Sequence, residues 1–399
     1  MYTLLGFAVS AAVLVVVRSE LCLQGGFESQ LQQVLDAYML RPQLESCIIT
    51  TVADDVLRTL SPRWQGIEMT PFGSLVTGLG THSSDLDFSV TMPNYNSSRD
   101  AEWDMLHEIN ELVMKQPDLY SEINYSTRAD FARYSFNHST THRKVDLMFR
   151  NGDTGVQNSK LIKYYFHLDD RFLPLGGLLK LAFNIHDLTG RLMLKNYALY
   201  LLVIFFLQQK NMAPTGFELQ RDAESYYVGE WDTGFDELPY SINNTESVFQ
   251  LLGGFFQYYS RFDFQNYVVS TFAGRPILKD DFMSIDTFPE EFTLYKNNSK
   301  LDLQLKIKNN LRPKANICIQ DTYAHDMNNG ELITVEDTER IKKFLKSAAA
   351  WFKDLPADRF LSAILSKQQD SDTQSSSEQN CIEIPDSGPT ATIDLTCSK

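Results

Sequence analysis

The chain has 399 residues, is 43 % hydrophobic and 12 % aromatic, and carries a net charge of -15. This composition excludes a collagen, a coiled coil or a wholly disordered chain, and it is enough for a large core split into two lobes. The acidic balance excludes a protein that grips nucleic acid by bulk electrostatics, so any such contact must be a local patch.

In chain order, residues 1–27 come first. They begin MYTLLGFAVSAAVLVVVRSE, apolar up to Arg18. The run is shorter than the roughly 20 residues a membrane helix needs. It also lacks the basic start of a secretory signal. A buried or loosely attached helix is expected, with a membrane or organelle contact as the alternative. Residues 28–60 show helical spacing (Leu31, Val34, Leu35, Tyr38, then Ile49, Val52, Val56, Leu60) and are closed by SPRWQG. They are expected to pack on the helical part of the molecule.

Residues 67–150, within a unit bounded at 61–165, read as a mixed sheet. IEMTPF, DLDFSVTM and KVDLMFR have strand composition, with a helix around 101–115 between them. Residues 166–365 read as mostly helical, from PLGGLLKLAFNIHDL and KNYALYLLVIFFLQQ to SVFQLLGGFFQYYSRFDF. Phe255, Phe256, Tyr258 and Tyr259 in the last run are read as core. From Ser366 to Lys399 the chain is too polar to order itself. Within that tail the segment Ile393–Thr396 is similar to a SUMO-binding peptide. The five cysteines lie far apart without a C-x-x-C pair. They predict neither a disulfide framework nor a zinc site, and they favour a reducing compartment. In an intracellular protein the N-x-S/T matches, such as Asn96-Ser97-Ser98, carry no meaning.

The stretch PFGSLVTGLGTHSSDLDFSV carries chemistry. Residues i and i+2 of a strand share a face, so Asp85 and Asp87 point one way while Leu86 and Phe88 point to the core. Two carboxylates this close repel unless something neutralises them. A divalent metal does so, and a pair of ions can hold the attacking and leaving oxygens of a phosphoryl transfer. A third acid, Asp146, alternates with Val145, Leu147 and Phe149 in a second strand. The Gly73-Ser74 turn suits close backbone approach to a phosphate.

The order Gly-Ser, about ten residues, then Asp-x-Asp resembles the DNA-polymerase-β-type nucleotidyltransferases. Within them it is most similar to the poly(A) and poly(U) polymerases, the terminal RNA nucleotidyltransferases. VDLMFRNGDTGVQNSKLIKYY, LLKLAF, LKNYALYLLVIFFLQ, LLGGFFQYYSRFDFQNYVVS and ICIQDTYAHDMNNG extend the resemblance from about residue 30 to about residue 350. It implies an α+β, two-lobed fold: a mixed-sheet nucleotidyltransferase (palm) domain plus a mostly helical central domain, whose polymerase-associated segment runs from about 247 to 330.

The resemblance also implies roles. Asp85, Asp87 and Asp146 hold two Mg²⁺ or Mn²⁺ ions, and Asp146 takes the proton from an RNA 3′-hydroxyl. Gly73, Ser74 and Ser84 contact phosphates. Asn158 meets the ribose, Lys180 the triphosphate, and Tyr197 stacks on the base. Asp321 and Asn328 belong to the base-reading loop.

Three departures stand out. Asn184 replaces a second lysine, Asn196 a serine, and Met327 the histidine of uridine-preferring relatives. Met327 cannot donate a hydrogen bond to uracil, so adenosine is at least as well suited as uridine, unless His325 serves through a shifted loop. The expected reaction adds AMP or UMP from ATP or UTP to an RNA 3′ end. Arg143, Lys144, Lys160, Lys163, Lys306, Lys308, Arg312 and Lys314 are the candidate RNA contacts. With no RNA-recognition module beside the core, an RNA-binding partner protein is expected. A cytoplasmic address is expected, with mitochondria or nucleus as alternatives. The rival readings are an oligonucleotide synthetase or cyclase of the same superfamily, and a catalytically inactive RNA- or partner-binding scaffold.

Overall fold

The computed structural model describes residues 19–127, 132–149, 154–190, 192–305, 311–367 and 381–384. The elements run β1 (Ser19–Cys22), α1 (Phe27–Tyr38), α2 (Pro42–Leu60), β2 (Glu68–Phe72), α3 (Ser74–Thr77), β3 (Leu86–Thr91), α4 (Arg99–Val113), β4 (Tyr120–Thr127), β5 (Ala132–His138) and β6 (Arg143–Phe149). Then follow α5 (Thr154–Phe166), α6 (Phe172–Ile185), α7 (Asn196–Gln209), α8 (Gly216–Gln220), β7 (Tyr227–Val228), β8 (Trp231–Asp232), α9 (Val248–Tyr259), β9 (Tyr267–Ser270) and β10 (Ile277–Leu278). The last are α10 (Thr293–Leu305), β11 (Ile319–Gln320), α11 (Val335–Asp354), α12 (Ala357–Ile364) and β12 (Cys381–Ile384).

Strands β2-β3-β6-β5-β4 form one mixed sheet, in which only the β3–β6 pair is parallel. The alternation read from the sequence is what builds it. Leu86, Phe88 and Val90 of β3 and Val145, Leu147 and Phe149 of β6 are buried. They pack beneath Val52, Val56 and Leu60 of α2 and Leu106, Ile109 and Val113 of α4. Each such side chain contributes roughly 1.5–3 kcal/mol. Ser98 caps α4 by accepting from the Ala101 N–H. Strands β4 and β5 escaped the sequence reading because polar Ser, Asn and Glu interrupt them (YSEINYST, ARYSFNH).

The second lobe is helical. α7 is buried on every side from Ala198 to Leu207, as a helix apolar all round must be. Around it pack α1, α5, α6, α9, α11 and α12. Ser247 and Gln250 form a capping box at the start of α9. A smaller aromatic cluster of Trp231, Phe272, Phe282, Phe292 and Tyr295 flanks the lobe.

Three expectations are corrected. Residues 28–60 do not act as one unit on the helical lobe: α1 packs there, but Ile48, Val52, Val56 and Leu60 of α2 belong to the sheet core. The apolar stripes of the two helices face different cores, which spacing alone does not reveal. The tail is not wholly unordered, because Cys381–Ile384 pairs antiparallel with Ser19–Cys22. Within that pair Cys22 and Cys381 form a disulfide across 359 residues, and Cys47 is disulfide-bonded too. The cysteines therefore no longer argue for a reducing compartment. Cys318 is a buried free thiol. Among the described residues no helix is long and apolar enough to cross a membrane. Residues 1–18 and the segment Ile393–Thr396 lie outside the described residues.

Candidate active site

Strand register sets the centre of the site. Asp87 on β3 stands directly beside Asp146 on β6, and Phe72 at the end of β2 lies on the other side of Asp87. Neighbouring strands are about 4.8 Å apart, so the two carboxylates are held side by side by backbone alone. Asp85 precedes β3 and is exposed.

The Asp87 carboxyl is pushed up to about 7, first by burial and then by the charges of Asp146 and Asp85. Two cations sit among the acids. Arg133 forks onto Asp146, its Nη2 at 2.8 and 2.7 Å from the two oxygens. Lys144 Nζ lies 2.6 Å from Asp85 Oδ2 and 3.8 Å from Asp146 Oδ2. Asp87 is left without an ion pair among the described residues.

The donor set fits a hard divalent cation: carboxylates only, with one of them short of compensating charge. In this arrangement the trio is not closed. Among the described residues no set of ligand oxygens containing these three aspartates lies within 4.8 Å, and the Lys144 ammonium stands between Asp85 and Asp146.

Gly73 adjoins this centre and does more than admit a phosphate. It has φ +81°, and a Cβ there would stand 2.7 Å from Asp87 Oδ2. Its N–H donates to Ser159 Oγ at 2.8 Å, and that hydroxyl donates to Gly155 O at 2.7 Å. Ser159, which the sequence reading passed over beside Asn158, thus ties the turn to α5. Ser74 opens the short helix α3. Ser84 Oγ accepts from the Thr81 N–H at 2.9 Å and lies 3.5 Å from Lys180 Nζ.

Lys180 is almost wholly buried and donates to Leu79 O at 2.9 Å. Burial pulls it down to about 8, with the charge of Glu45 opposing that pull. Glu45, itself buried, is pushed up to about 7. This pair was not visible in the sequence, since its members lie on α2 and α6, far apart along the chain.

The second half of the site is the loop after β11. Asp321 is buried and its carboxyl is pushed up, against hydrogen bonds from the Tyr323 and Ala324 N–H groups, both 3.0 Å to Oδ1. Asn158 Nδ2 reaches Asp321 Oδ2 at 3.4 Å, which brings the loop against α5. Tyr197 stands beside Asp321, and burial and that charge push its hydroxyl well above the usual value. Asn158 Oδ1, Asn196 Oδ1 and Tyr323 Oη are buried without hydrogen-bond partners among the described residues. Buried polar atoms are normally satisfied, so this cluster is a set of groups ready for a polar ligand.

Two loop residues take other positions than the sequence suggested. Asn328 gives its whole amide to the loop: Oδ1 accepts from the Ile319 and Gly330 N–H groups at 3.0 and 2.8 Å, and Nδ2 donates to Ile317 O at 3.2 Å. His325 packs among Trp231, Phe272, Phe292 and Tyr295, where burial pulls it down to about 3. It is a neutral core histidine and cannot replace Met327, which is half exposed at the loop's edge. Among the expected RNA contacts, Arg143 is buried and donates to the carbonyls of Thr81, His82 and Ser84, holding the loop before Asp85. Lys160, Lys163 and Lys314 are exposed, Arg312 pairs with Glu331, and Lys306 and Lys308 lie outside the described residues. A cavity of about 700 Å³ lined by Phe206, Lys210, Tyr258, Arg261 and Phe262 lies at the far end of α7 and is separate from this site.

Comparison with known proteins agrees with this geometry. Residues 27–167 match the family described as poly(A) RNA polymerase, mitochondrial-like, central palm domain, and residues 247–327 match the Cid1 family poly A polymerase domain. The speckle targeted PIP5K1A-regulated poly(A) polymerase of Danio rerio is 28% identical over 313 residues, covering 67% of this chain and 39% of that protein. Terminal uridylyltransferase 7 of Homo sapiens is 30% identical over 222 residues, 51% of this chain and 15% of that protein. The chain thus spans well under half of these curated relatives. The fold is shared with mtPAP in complex with ATPγS (TM-score 0.70, 20% identity, 86% of this chain and 72% of that one). It is shared also with the Cid1 poly(U) polymerase bound to 3′-dATP (TM-score 0.65, 20% identity, 82% and 94%).

Proposed function

Because this chain belongs to the poly(A)/poly(U) polymerase family of terminal RNA nucleotidyltransferases, we propose that it adds AMP or UMP to RNA 3′ ends without a template. The observation that carries the reading is the register that puts Asp87 beside Asp146, two residues from Asp85 and against the Gly73 turn. Residues 61–165, with α2 as their cover, are the proposed catalytic unit, and 166–365 the proposed central domain.

Asp85, Asp87 and Asp146 would hold two Mg²⁺ or Mn²⁺ ions, which would supply Lewis-acid stabilisation of the charge that develops in phosphoryl transfer. Asp146, forked by Arg133, is fixed in orientation and is the acceptor for the 3′-hydroxyl proton. Ser74 offers the nucleotide's phosphates its hydroxyl, and Gly73, whose own N–H is taken by Ser159, leaves them room for close approach. Tyr197 offers its ring to the base, and Asn158 its unpartnered carbonyl to the ribose 2′-OH, which suits an RNA enzyme. Lys180 acts through the loop it holds at Leu79 and Ser84, setting where the phosphate-binding turn and Asp85 stand.

Supply of RNA to a chain this acidic rests on exposed lysines such as Lys160 and Lys163, or on an RNA-binding partner protein. The test is extension of a labelled short RNA with ATP, UTP, CTP and GTP, each alone, in Mg²⁺ and in Mn²⁺. Extension by at least one nucleotide that stops in Asp87→Ala supports the reading. No extension with folded protein and any nucleotide favours the inactive scaffold.

A further inference from the structure

Lys144, a candidate RNA contact by sequence, stands on the acids' own face. It lies two residues before Asp146 on β6, so the two side chains share one side of the sheet. The β3–β6 register pairs Leu86 with Val145 and Asp87 with Asp146. One step back along the same two strands are Asp85 and Lys144. Lys144 Nζ lies 2.6 Å from Asp85 Oδ2 and 3.8 Å from Asp146 Oδ2. Strand pairing thus delivers an ammonium to the acids as directly as it delivers the acids to one another.

The two cations among the acids are held differently. Arg133 Nη2 reaches both oxygens of Asp146 from a mostly buried side chain. Lys144 makes one short contact, and both it and Asp85 are nearly half exposed. An exposed pair of this kind adds little to stability, and the lysine stem is long and flexible. Lys144 can therefore leave Asp85 easily while Arg133 stays. Each carboxylate oxygen has two lone pairs, so Asp146 can keep Arg133 and still bind a further cation. At Asp85 the case is different, because the ammonium and a divalent ion seek the same carboxylate and repel each other.

We propose that Lys144 is a built-in competitor for the divalent cations of this site, and that it sets the metal concentration at which the site fills. The inference rests on the reading of Asp85, Asp87 and Asp146 as metal ligands. With no metal bound, the ammonium relieves the repulsion among the three carboxylates. A metal taken up by Asp85 displaces it towards solvent. Asp87, which has no ion pair among the described residues, is the acid that meets no such competition.

The test uses the full chain, freed of metal by a chelator and then desalted. Titration with MnCl₂, read by the electron spin resonance of free Mn²⁺, is expected to show a site in the wild type that Asp87→Ala lacks. Lys144→Gln should bind that Mn²⁺ roughly fivefold more tightly, the ratio that the loss of one exposed ion pair allows. Lys144→Arg keeps the charge and should not tighten it. Displacement has its own readout: acetylation of Lys144 by acetic anhydride, followed by peptide mass spectrometry, should speed up severalfold at saturating Mn²⁺ in the wild type and not in Asp87→Ala. Mn²⁺ affinity in Lys144→Gln no higher than in the wild type overturns the proposal, and so does an acetylation rate that Mn²⁺ leaves unchanged. Equal Mn²⁺ binding by wild type and Asp87→Ala would instead remove the metal centre itself, and this inference with it.

Discussion

The two halves of the site are built by opposite means. Around the aspartates, backbone register does the placing and the side chains remain in conflict: Asp87 stands beside Asp146 by strand pairing, and its carboxyl is pushed up to about 7. Around Asp321, side chains do the placing, with Asn328 alone making three bonds to backbone. A sheet can hold like charges together because the ladder stabilises the strands independently. A loop without a ladder must be held by its own side chains. The first half is thus poised for cations and the second is a rigid wall.

Breaking the first half should have the largest effect. Asp87→Ala or Asp146→Asn is expected to lower RNA extension by about 10³-fold or more, equivalent to roughly 4 kcal/mol of transition-state stabilisation, while leaving the melt within a few degrees of wild type. Single-turnover extension measures it, and activity within tenfold of wild type would remove the aspartates from the chemistry.

Next comes Gly73→Ala. Its φ of +81° and the 2.7 Å approach to Asp87 Oδ2 leave no room for a methyl, so Asp87 or the turn must shift. A displacement of this kind costs on the order of 10²-fold in rate. Ser159→Ala, which removes the hydroxyl that receives the Gly73 N–H, should show a milder loss in the same assay. Full activity in Gly73→Ala would mean that the turn does not set Asp87.

The second half should respond in stability and not in chemistry. Asn328→Ala leaves two N–H groups and one carbonyl without their partner, an expected loss of about 2–3 kcal/mol in urea unfolding. The opposite pattern, unchanged stability with altered nucleotide choice, would return Asn328 to the base-reading role that the sequence suggested.

The difference between the halves also explains what the sequence revealed. Asp85, Asp87 and Asp146 were legible because period-2 alternation with Leu86, Phe88, Val145 and Leu147 shows which side of a strand an acid takes. Arg133 and Ser159 were not, because their roles depend on which strand or turn lies next to them. The partners of Asn328 and His325 were not legible because a loop has no period, so the inward or outward sense of Met327 and its neighbours follows only from the folded hydrogen bonds. The Cys22–Cys381 bond was hidden for a similar reason: four-residue strands at the two ends of the chain carry too little pattern to predict their pairing.

The buried Glu45–Lys180 pair, beside the loop before Asp85, offers a smaller test through its pH dependence. Glu45 titrates near 7 when folded against 4.5 unexposed to the fold. The folded chain therefore holds that proton more tightly, and stability falls as pH rises from about 4.5 to 7. Lys180, at about 8 against 10.5, works on the other side: the unfolded chain binds its proton more tightly, and stability recovers as pH climbs from 8 to 10.5. Glu45→Gln should flatten the lower slope by up to about 3 kcal/mol at pH 7 and, by removing the charge that holds Lys180 up, start the upper one at a lower pH. An unchanged slope between 4.5 and 7 would place Glu45's titration elsewhere.

The smallest effect tests the edge of the rigid wall. Asn328 faces inward and His325 lies in the aromatic core, so Met327, half exposed, is the loop side chain left to meet a base. Its thioether donates nothing, whereas a histidine at the same place carries an N–H. One added hydrogen bond is worth about 1 kcal/mol. Met327→His is therefore expected to raise the UTP-over-ATP ratio of kcat/KM by roughly fivefold without moving the melting temperature, because the exposed side chain supports no packing. Since the wall is held by Asn328 and Asp321, the new ring should sit where Met327 sat. A ratio that stays at the wild-type value would show that base choice is made elsewhere, with Asn158, Asn196 and Tyr197 the next residues to test.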